Sequence, residues 1–324
     1  MMQNSKLAVV FGGSGFVGRH TVRALARSGW RVRVAVRRPD LAGHLQPMGG
    51  VGQIHAVQAN VRYPESLAQA VEGADAVVNL VAILFKSGAQ TFEKVHVDGS
   101  RAVARAAAAE GIKTFVHVSA IGAGPKSPGA YGQTKAQGEA GVQAEVPSAT
   151  ILRPSVIFGP EDQFLNRFAG MAASPAPFLP LVGGGRTKFQ PVYVGDVAQA
   201  IVTCLENPTT AGQIYELGGP DVMTFRQILD RVKEWSGRKK RYAPLPFWAA
   251  KIAAAMTAPL PNAMRPLTVD QVRMLTVDNV VSAEAKAAGR TLEGLGITPQ
   301  TMAAIVPSYL ERFQPRGQYA HYRT

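Results

Sequence analysis

A doubly wound parallel α/β sheet with a smaller, mostly helical C-terminal lobe is the fold class this sequence predicts. Three observations predict it. Short β-branched runs alternate with alanine-rich helical stretches through the first half. A glycine-spaced loop joins the first strand to the first helix. Past residue 160 the texture changes to Pro/Gly-rich loop and then to helices separated by prolines.

Taken in order, "KLAVVFG" (6–12), "RVRVAV" (31–36), "QIHAVQA" (53–59), "DAVVNLVA" (75–82), "TFVHVSA" (114–120) and "ATILRPS" (149–155) read as strands. Helical patterns fall between them at 18–29, 64–73, 94–111 and 131–145. Strands separated by helices imply βαβ units and a parallel sheet covered on both faces. In the second half, "SPAPFLPLVGGGR" (174–186) reads as loop, "PVYVGDVAQAIVTCLENP" (191–208) as a helix with Asp196 at its start, and "GQIYELGGP" (212–220) as strand and turn. The division expected is a dinucleotide-binding domain of 1–160 plus about 189–218, and a C-terminal docking lobe of 161–188 and 219–324.

The chain has 324 residues, enough for about two domains at roughly 150 residues each. Its net charge of +13 favours acidic partners: nucleotide phosphates, anionic lipid or an acidic protein surface. No zinc spacing or RNA-binding consensus occurs, so neither nucleic acid nor a metal is expected; the six histidines are scattered without ligand spacing. The lone Cys204 lies in an apolar helical stretch and is expected to be a buried, inert thiol. No apolar run reaches the roughly 18 residues of a membrane span, and "MMQNSKLAVVFGG" leads almost directly into a strand, so a cytoplasmic protein without signal peptide is expected.

The loop "VVFGGSGFVGRH" carries Gly12, Gly13, Ser14, Gly15, Phe16, Val17 and Gly18, with Gly12, Gly15 and Gly18 spaced G-x-x-G-x-x-G. The first glycine permits the tight turn, the next a close approach to pyrophosphate, and the last close helix–strand packing. The helix N-terminus then offers N–H groups and a positive dipole end to the phosphates. The second strand runs out in "VAVRRPD", which sets Arg37 and Arg38 where a carboxylate would grip a ribose 2′-hydroxyl. Arginine there suits a 2′-phosphate, and Arg19 lies within reach of the same group. NADPH is therefore favoured over NADH, with Asp40 the rival residue that would suit NADH.

"AYGQTKAQGEA" (130–140) sets Tyr131 and Lys135 four apart, one turn along one helix face. A lysine held beside a tyrosine is one way to make a phenol trade protons near neutral pH.

"FGGSGFVG", "VSA", "YGQTK", "ILRPSVIFGPED" and "FQPVYVGDVAQAI", in this order, resemble the extended and atypical short-chain dehydrogenase/reductase superfamily over roughly residues 6 to 220. The resemblance implies that Tyr131 is the acid/base and that Lys135 holds the nicotinamide ribose and lowers the tyrosine pKa. It further implies that Asn60 and Val61 of "ANVR" and Leu80, Val81 and Ala82 of "NLVA" line the adenine and phosphates. Ser119 and the segment Pro154, Ser155, Val156 and Ile157 would then stand near the nicotinamide. Phe11 before the loop glycine, with "VRRP", "NLVAILF" and "KTFVHVSAIGA", gives a narrower resemblance to the NADPH-binding Rossmann-type accessory subunits of respiratory complex I, in an α-proteobacterial version. One departure matters. Ile121 stands where active members of the superfamily place the substrate-polarising hydroxyl, and losing one such donor costs on the order of 3 kcal/mol in the transition state.

In the C-terminal lobe, Arg231, Lys233, Arg238, Lys239, Lys240, Arg241 and Lys251 form a basic cluster, beside a helix whose Trp248, Ile252 and Met256 fall at i, i+4 and i+8. That stripe is either lobe core or a surface for an anionic membrane or an acidic, lipid-adjacent groove. Asp196 is expected to tie the lobes together, and the tail "FQPRGQYAHYRT" to be an extended arm.

The expectation is an NADPH-binding accessory subunit that stabilises NADH:ubiquinone oxidoreductase, its nucleotide structural and not turned over. Its partners would be other complex I subunits near the junction of the membrane and quinone modules, and anionic lipid, on the cytoplasmic side of a bacterial inner membrane. The alternatives are a free-standing NADP-dependent reductase or epimerase acting on a carbonyl or sugar nucleotide, and a sensor that binds NADPH without turnover.

Overall fold

The computed structural model describes residues 5–257, 267–315 and 317. Most of the tail lies outside them. Seven parallel strands form the central sheet: β1 (Leu7–Phe11), β2 (Arg31–Val36), β3 (Ile54–Gln58), β4 (Ala76–Asn79), β5 (Thr114–Val118), β6 (Thr150–Pro154) and β11 (Ile214–Leu217). Their spatial order is β11-β6-β5-β4-β1-β2-β3. The order reverses between β1 and β4, which opens a crevice at the strand C-termini. The central strands β1 and β4 are apolar except for Asn79, because helices cover both faces.

Helices α1 (Phe16–Arg27) and α6 (Val194–Glu206) pack together on one face. On the other face lie α2 (Pro64–Val71), α3 (Ser100–Ala109) and α4 (Ala130–Glu145). The pattern at 94–111 predicts one regular helix. The chain instead enters α3 through a π-helical turn over Glu93–Gly99, which carries His96 into the interior.

The second lobe contains α5 (Leu165–Ala173), α7 (Phe225–Trp235), α8 (Phe247–Met256), α9 (Val269–Met274), α10 (Ala283–Ala287) and α11 (Met302–Leu310). Short strand pairs link it: β7 (Ile157–Phe158) with β10 (Val192–Tyr193), and β9 (Lys188–Phe189) with β12 (Met223–Thr224). The expected loop at 174–186 contains a strand, β8 (Phe178–Val182), paired in parallel with β13 (Arg241–Leu245). Its prolines hid it. Pro180 and Pro244 are tolerated because this ribbon has only two strands, and alternation still buries Leu179 and Leu181.

Two later segments return to the sheet. Leu292 packs in the same core as Val10, Val22 and Ile201, with Leu295 and Ile297 beside it. Asp196 accepts a hydrogen bond from Gln300 N at 2.8 Å, the tie between distant segments expected of it. Cys204 is buried and its thiol is pushed up to about 12 by burial, as an inert structural cysteine should be.

The α8 stripe is not lobe core. Trp248, Ile252 and Met256 are 68%, 54% and 76% exposed, while Ala250 and Ala254 make the buried face. The basic cluster divides. Lys233 pairs with Asp230 at 3.0 Å, Arg231 with Glu234 at 3.0 Å, and Arg238 donates to Phe313 O at 2.8 Å. Lys240 donates to the carbonyls of Ser174 and Ala176, stapling the lead-in to β8. Lys239, Arg241 and Lys251 are left exposed with no ion pair among the described residues. No helix among the described residues is long and apolar enough to cross a membrane.

Candidate functional site

A cavity of about 730 Å³ opens at the reversal point of the sheet and extends between the lobes. Its first half is made of backbone. Gly12 takes φ +80, which L side chains rarely adopt, and Gly15 N donates to Gly12 O at 3.1 Å to close the turn. A Cβ at Gly18 would fall on the carbonyl of Gly12 and the backbone of Gly13, so the helix can approach the loop only without one. No side chain caps α1, and its first turn holds no acidic residue. The helix end therefore stays open to an anion.

Most of the sequence-predicted positions come together here. Gly12, Ser14, Gly15, Phe16, Val17, Gly18, Arg37, Asn60, Val61, Leu80, Val81, Ala82, Ser119, Tyr131, Pro154, Ser155, Val156 and Ile157 line the cavity. Gly13, Arg19, Arg38 and Lys135 do not. Gly13 is buried against Val34 and Val10. Arg19 pairs with Glu161 at 3.4 Å. Arg38 turns to Asp40, its Nη2 at 2.8 Å from Oδ2, so the two residues that would favour opposite cofactors occupy each other. Arg37 is left facing the cavity, joined by Arg62 of "ANVR".

The second half is built around the Tyr131 and Lys135 pair. Lys135 is fully buried and its Nζ donates to Val118 O at 2.7 Å; burial lowers its pKa to about 8. The Tyr131 phenol is not made acidic. Burial, and then the Asp270 carboxylate, push it up to about 12, because both disfavour the phenolate. Tyr131 stands edge-on to His96, ring centroids 5.3 Å apart. His96 Nε2 accepts from Ile83 N at 3.1 Å, and burial followed by the nearby Lys135 charge holds its pKa down at about 3. Ser119 Oγ is buried without a partner among the described residues. Ile121 is buried against Val281 and Ala285, its N–H given to Pro154 O at 2.9 Å.

Two residues of this half are invisible to sequence reasoning. Asp270, at the start of α9, accepts from Ala130 N at 2.6 Å and Tyr131 N at 3.1 Å, capping α4 from the other lobe. Asn279 accepts at Oδ1 from Ser155 Oγ at 2.6 Å and Val156 N at 3.2 Å, and donates Nδ2 to Ile121 O at 3.1 Å. Neither lies in a motif. The nearest sequence signal is "TVDQ" (268–271), a capping box for α9 itself.

An open helix end above a glycine turn, at the reversal of a seven-stranded parallel sheet, with a Tyr-x-x-x-Lys helix alongside, defines a dinucleotide-binding protein of the short-chain dehydrogenase type. The chain belongs to the NAD dependent epimerase/dehydratase family, whose profile matches residues 8–218. It is 35% identical to the mitochondrial NADH dehydrogenase [ubiquinone] 1 alpha subcomplex subunit 9 of Arabidopsis thaliana, over 96% of this chain and 79% of that one. It is 31% identical to the mitochondrial NADH-ubiquinone oxidoreductase 40 kDa subunit of Neurospora crassa, over 96% of this chain and 80% of that one. Among solved structures it is similar to the NADPH-dependent quinone oxidoreductase QOR2 of Escherichia coli, with a TM-score of 0.72 at 21% identity, covering 94% of this chain and 99% of that one.

Proposed function

We propose that this chain is an NADPH-holding accessory subunit of NADH:ubiquinone oxidoreductase, and that its nucleotide is kept and not turned over. Likeness to two such subunits along 96% of the chain supports the assembly. The observation that carries the absence of turnover is Ile121: a buried methyl-bearing side chain stands where a hydroxyl would polarise a carbonyl. The residues present fit the cofactor. The open end of α1 suits pyrophosphate, Arg37 and Arg62 suit a 2′-phosphate, and the orphaned Ser119 Oγ needs a hydrogen-bond partner at the nicotinamide end. When bound, the nicotinamide would supply a hydride. Here burial and the Asp270 carboxylate raise the pKa of the phenol that would hand over the matching proton, which makes it a weaker acid.

In this reading the domain of 1–160 plus about 189–218 holds the nucleotide, and 161–188 with 219–324 is the docking lobe. Lys239, Arg241, Lys251 and the exposed Trp248 face are its contact with an acidic, lipid-rimmed surface on the cytoplasmic side of an inner membrane, where the membrane and quinone modules meet. The test is co-sedimentation with the membrane-bound complex, read beside nucleotide released on denaturation. The expected result is stoichiometric NADPH, with association lowered in Lys239→Glu/Arg241→Glu/Lys251→Glu at unchanged NADPH. Co-purification at the wild-type level across a salt series would move the docking site elsewhere.

One observation favours the second reading, a free-standing reductase: Ser119 Oγ is unpaired and lines the same cavity as Tyr131. Steady NADPH oxidation on a carbonyl substrate, abolished by Tyr131→Phe, would establish that reading instead.

A further inference from the structure

The cavity does not end where a dinucleotide would. Its far half is walled by the second lobe, where Phe164, Phe189, Phe225, Leu267 and Met274 present an apolar lining. The three phenylalanines pack as one aromatic cluster, with centroids 6.0 to 6.3 Å apart.

The polar groups of this half are nearly all spent on the protein itself. Asp270 caps α4, and Gln271 Oε1 accepts from Thr268 N at 2.9 Å. Asp278 accepts from Lys188 N at 2.8 Å, and Asn279 uses both ends of its amide. The exceptions among the described residues are the exposed Gln163, the Nε2 of Gln271, and Arg167. Arg167 is half-buried on α5 and shares its face with Phe164 and Phe168, at i, i+3 and i+4. It has no hydrogen bond or ion pair among the described residues, and burial works against its charge with no acidic group in compensation. A sugar would need several free donors and acceptors for its hydroxyls; besides two carboxylates already held by backbone N–H groups, this wall leaves two side-chain amides and one guanidinium. Arg167 feels neither of those carboxylates, and a largely apolar wall with an unanswered cation among the described residues is complementary to a different class of ligand.

We infer that the far half of the cavity binds one long-chain anionic amphiphile, its chain against Phe164, Phe189, Phe225, Leu267 and Met274 and its head at Arg167. This rests on the reading that the glycine-loop half takes the nucleotide, since only then is the far half left for a second molecule. The head group is a carboxylate or a phosphate; guanidinium pairs with either. Burial of the chain supplies affinity in proportion to the apolar surface removed from water, and the ion pair fixes which end enters.

The probe is cis-parinarate, a fluorescent long-chain carboxylate, titrated into the full chain loaded with NADPH. NADPH content is measured separately in every sample, so that failure of the nucleotide reading shows as lost NADPH and not as lost probe. The expected result is saturable binding of one probe per chain, displaced by palmitate or palmitoyl-lysophosphatidate and not by UDP-glucose. The better of the two displacers identifies the head group. Arg167→Gln should weaken palmitate at least tenfold while changing hexadecanol, which has the chain without the charge, less than twofold. Phe164→Asp should weaken both. Trp248→Ser should change neither, because α8 presents its apolar face outside the cavity. The inference falls if the wild type takes no probe, if Arg167→Gln binds palmitate as the wild type does, if UDP-glucose displaces the probe, or if Trp248→Ser abolishes binding.

Discussion

The two halves of the cavity that flank the sheet are built by opposite means. The glycine-loop half is shaped by backbone: a left-handed glycine, a helix end without a cap, and two arginines at strand ends. The tyrosine half is shaped by side chains tied to one another and to the second lobe, with Lys135 on Val118 O, Asp270 on the α4 amides, Asn279 on Ser155 and Ile121, and His96 under Tyr131. A backbone site tolerates drift in its side chains and keeps binding. A catalytic site does not, because its chemistry depends on which side-chain atoms face the substrate. On the proposed reading, this asymmetry is how a dehydrogenase-type fold can come to hold its nucleotide without turning it over.

Several substitutions test that comparison, the largest effects first. His96 is buried neutral, with its folded pKa at about 3 against an ordinary 6.5. Between those values the unfolded chain binds the extra proton, so stability is full above about pH 6.5 and falls as pH drops toward 3, by about 1.4 kcal/mol per pH unit. His117 is buried too and held well below its ordinary value, so it adds to the slope of both proteins; urea midpoints across that window should fall less steeply in His96→Gln than in the wild type by the His96 share, and parallel profiles would mean that His96 is not buried neutral. Gly18→Val should empty the nucleotide site and cost about 3 kcal/mol, because no rotamer clears the Gly12 and Gly13 backbone. Retained NADPH in that variant would break the claim that the glycine turn shapes the first half.

Arg37→Ala should lower preference for NADPH over NADH about tenfold, a loss of about 1.4 kcal/mol, while Arg38→Ala changes it little. Equal losses would mean that Arg38 abandons Asp40 when the nucleotide binds. Asp270→Ala removes a cap and should cost about 1 kcal/mol of thermal stability. It should also move the Tyr131 phenol back down toward its ordinary value, followed by ultraviolet titration. The smallest effect is expected of Tyr131→Phe. NADPH content should stay within about twofold of the wild type, since a nucleotide held by backbone and phosphate contacts loses one hydrogen bond of about 1 kcal/mol or less.

What the sequence reveals follows the same division. The strands of the sheet and the glycine loop are legible because their signals are local: β-branched runs, glycine spacing and an arginine pair within the first forty residues. Strand β8 is not, because Pro180 in "FLPLV" mimics a loop and its partner β13 lies on the far side of six intervening strands and helices. Asp270 and Asn279 are legible in no window of sequence. Asp270 acts on an amide 140 residues away, and Asn279 on a serine 124 residues away. Their roles arise from the docking of one lobe on the other, which periodicity does not encode. The roles of the seven basic residues near 231–251 were equally hidden. Composition counts charges, but only packing decides which of them, like Lys240 on two carbonyls, are consumed inside the fold.

Strand β11 joins the sheet beside β6 only after the chain has left for the second lobe and come back, and Glu216 N in turn donates to Arg290 O at 3.0 Å. A nascent chain leaves the ribosome N-terminus first, so six strands emerge with β6 as an open edge, and Leu292 of the same core arrives later still. An unpaired edge is a template for the wrong neighbour. Synthesis of this protein therefore passes through a long interval in which the nearly complete sheet is exposed to misassociation. Stalling or premature termination between residues 160 and 290 should yield aggregates, not a smaller folded domain, and a chaperone that shields one sheet edge should raise the yield of native chain.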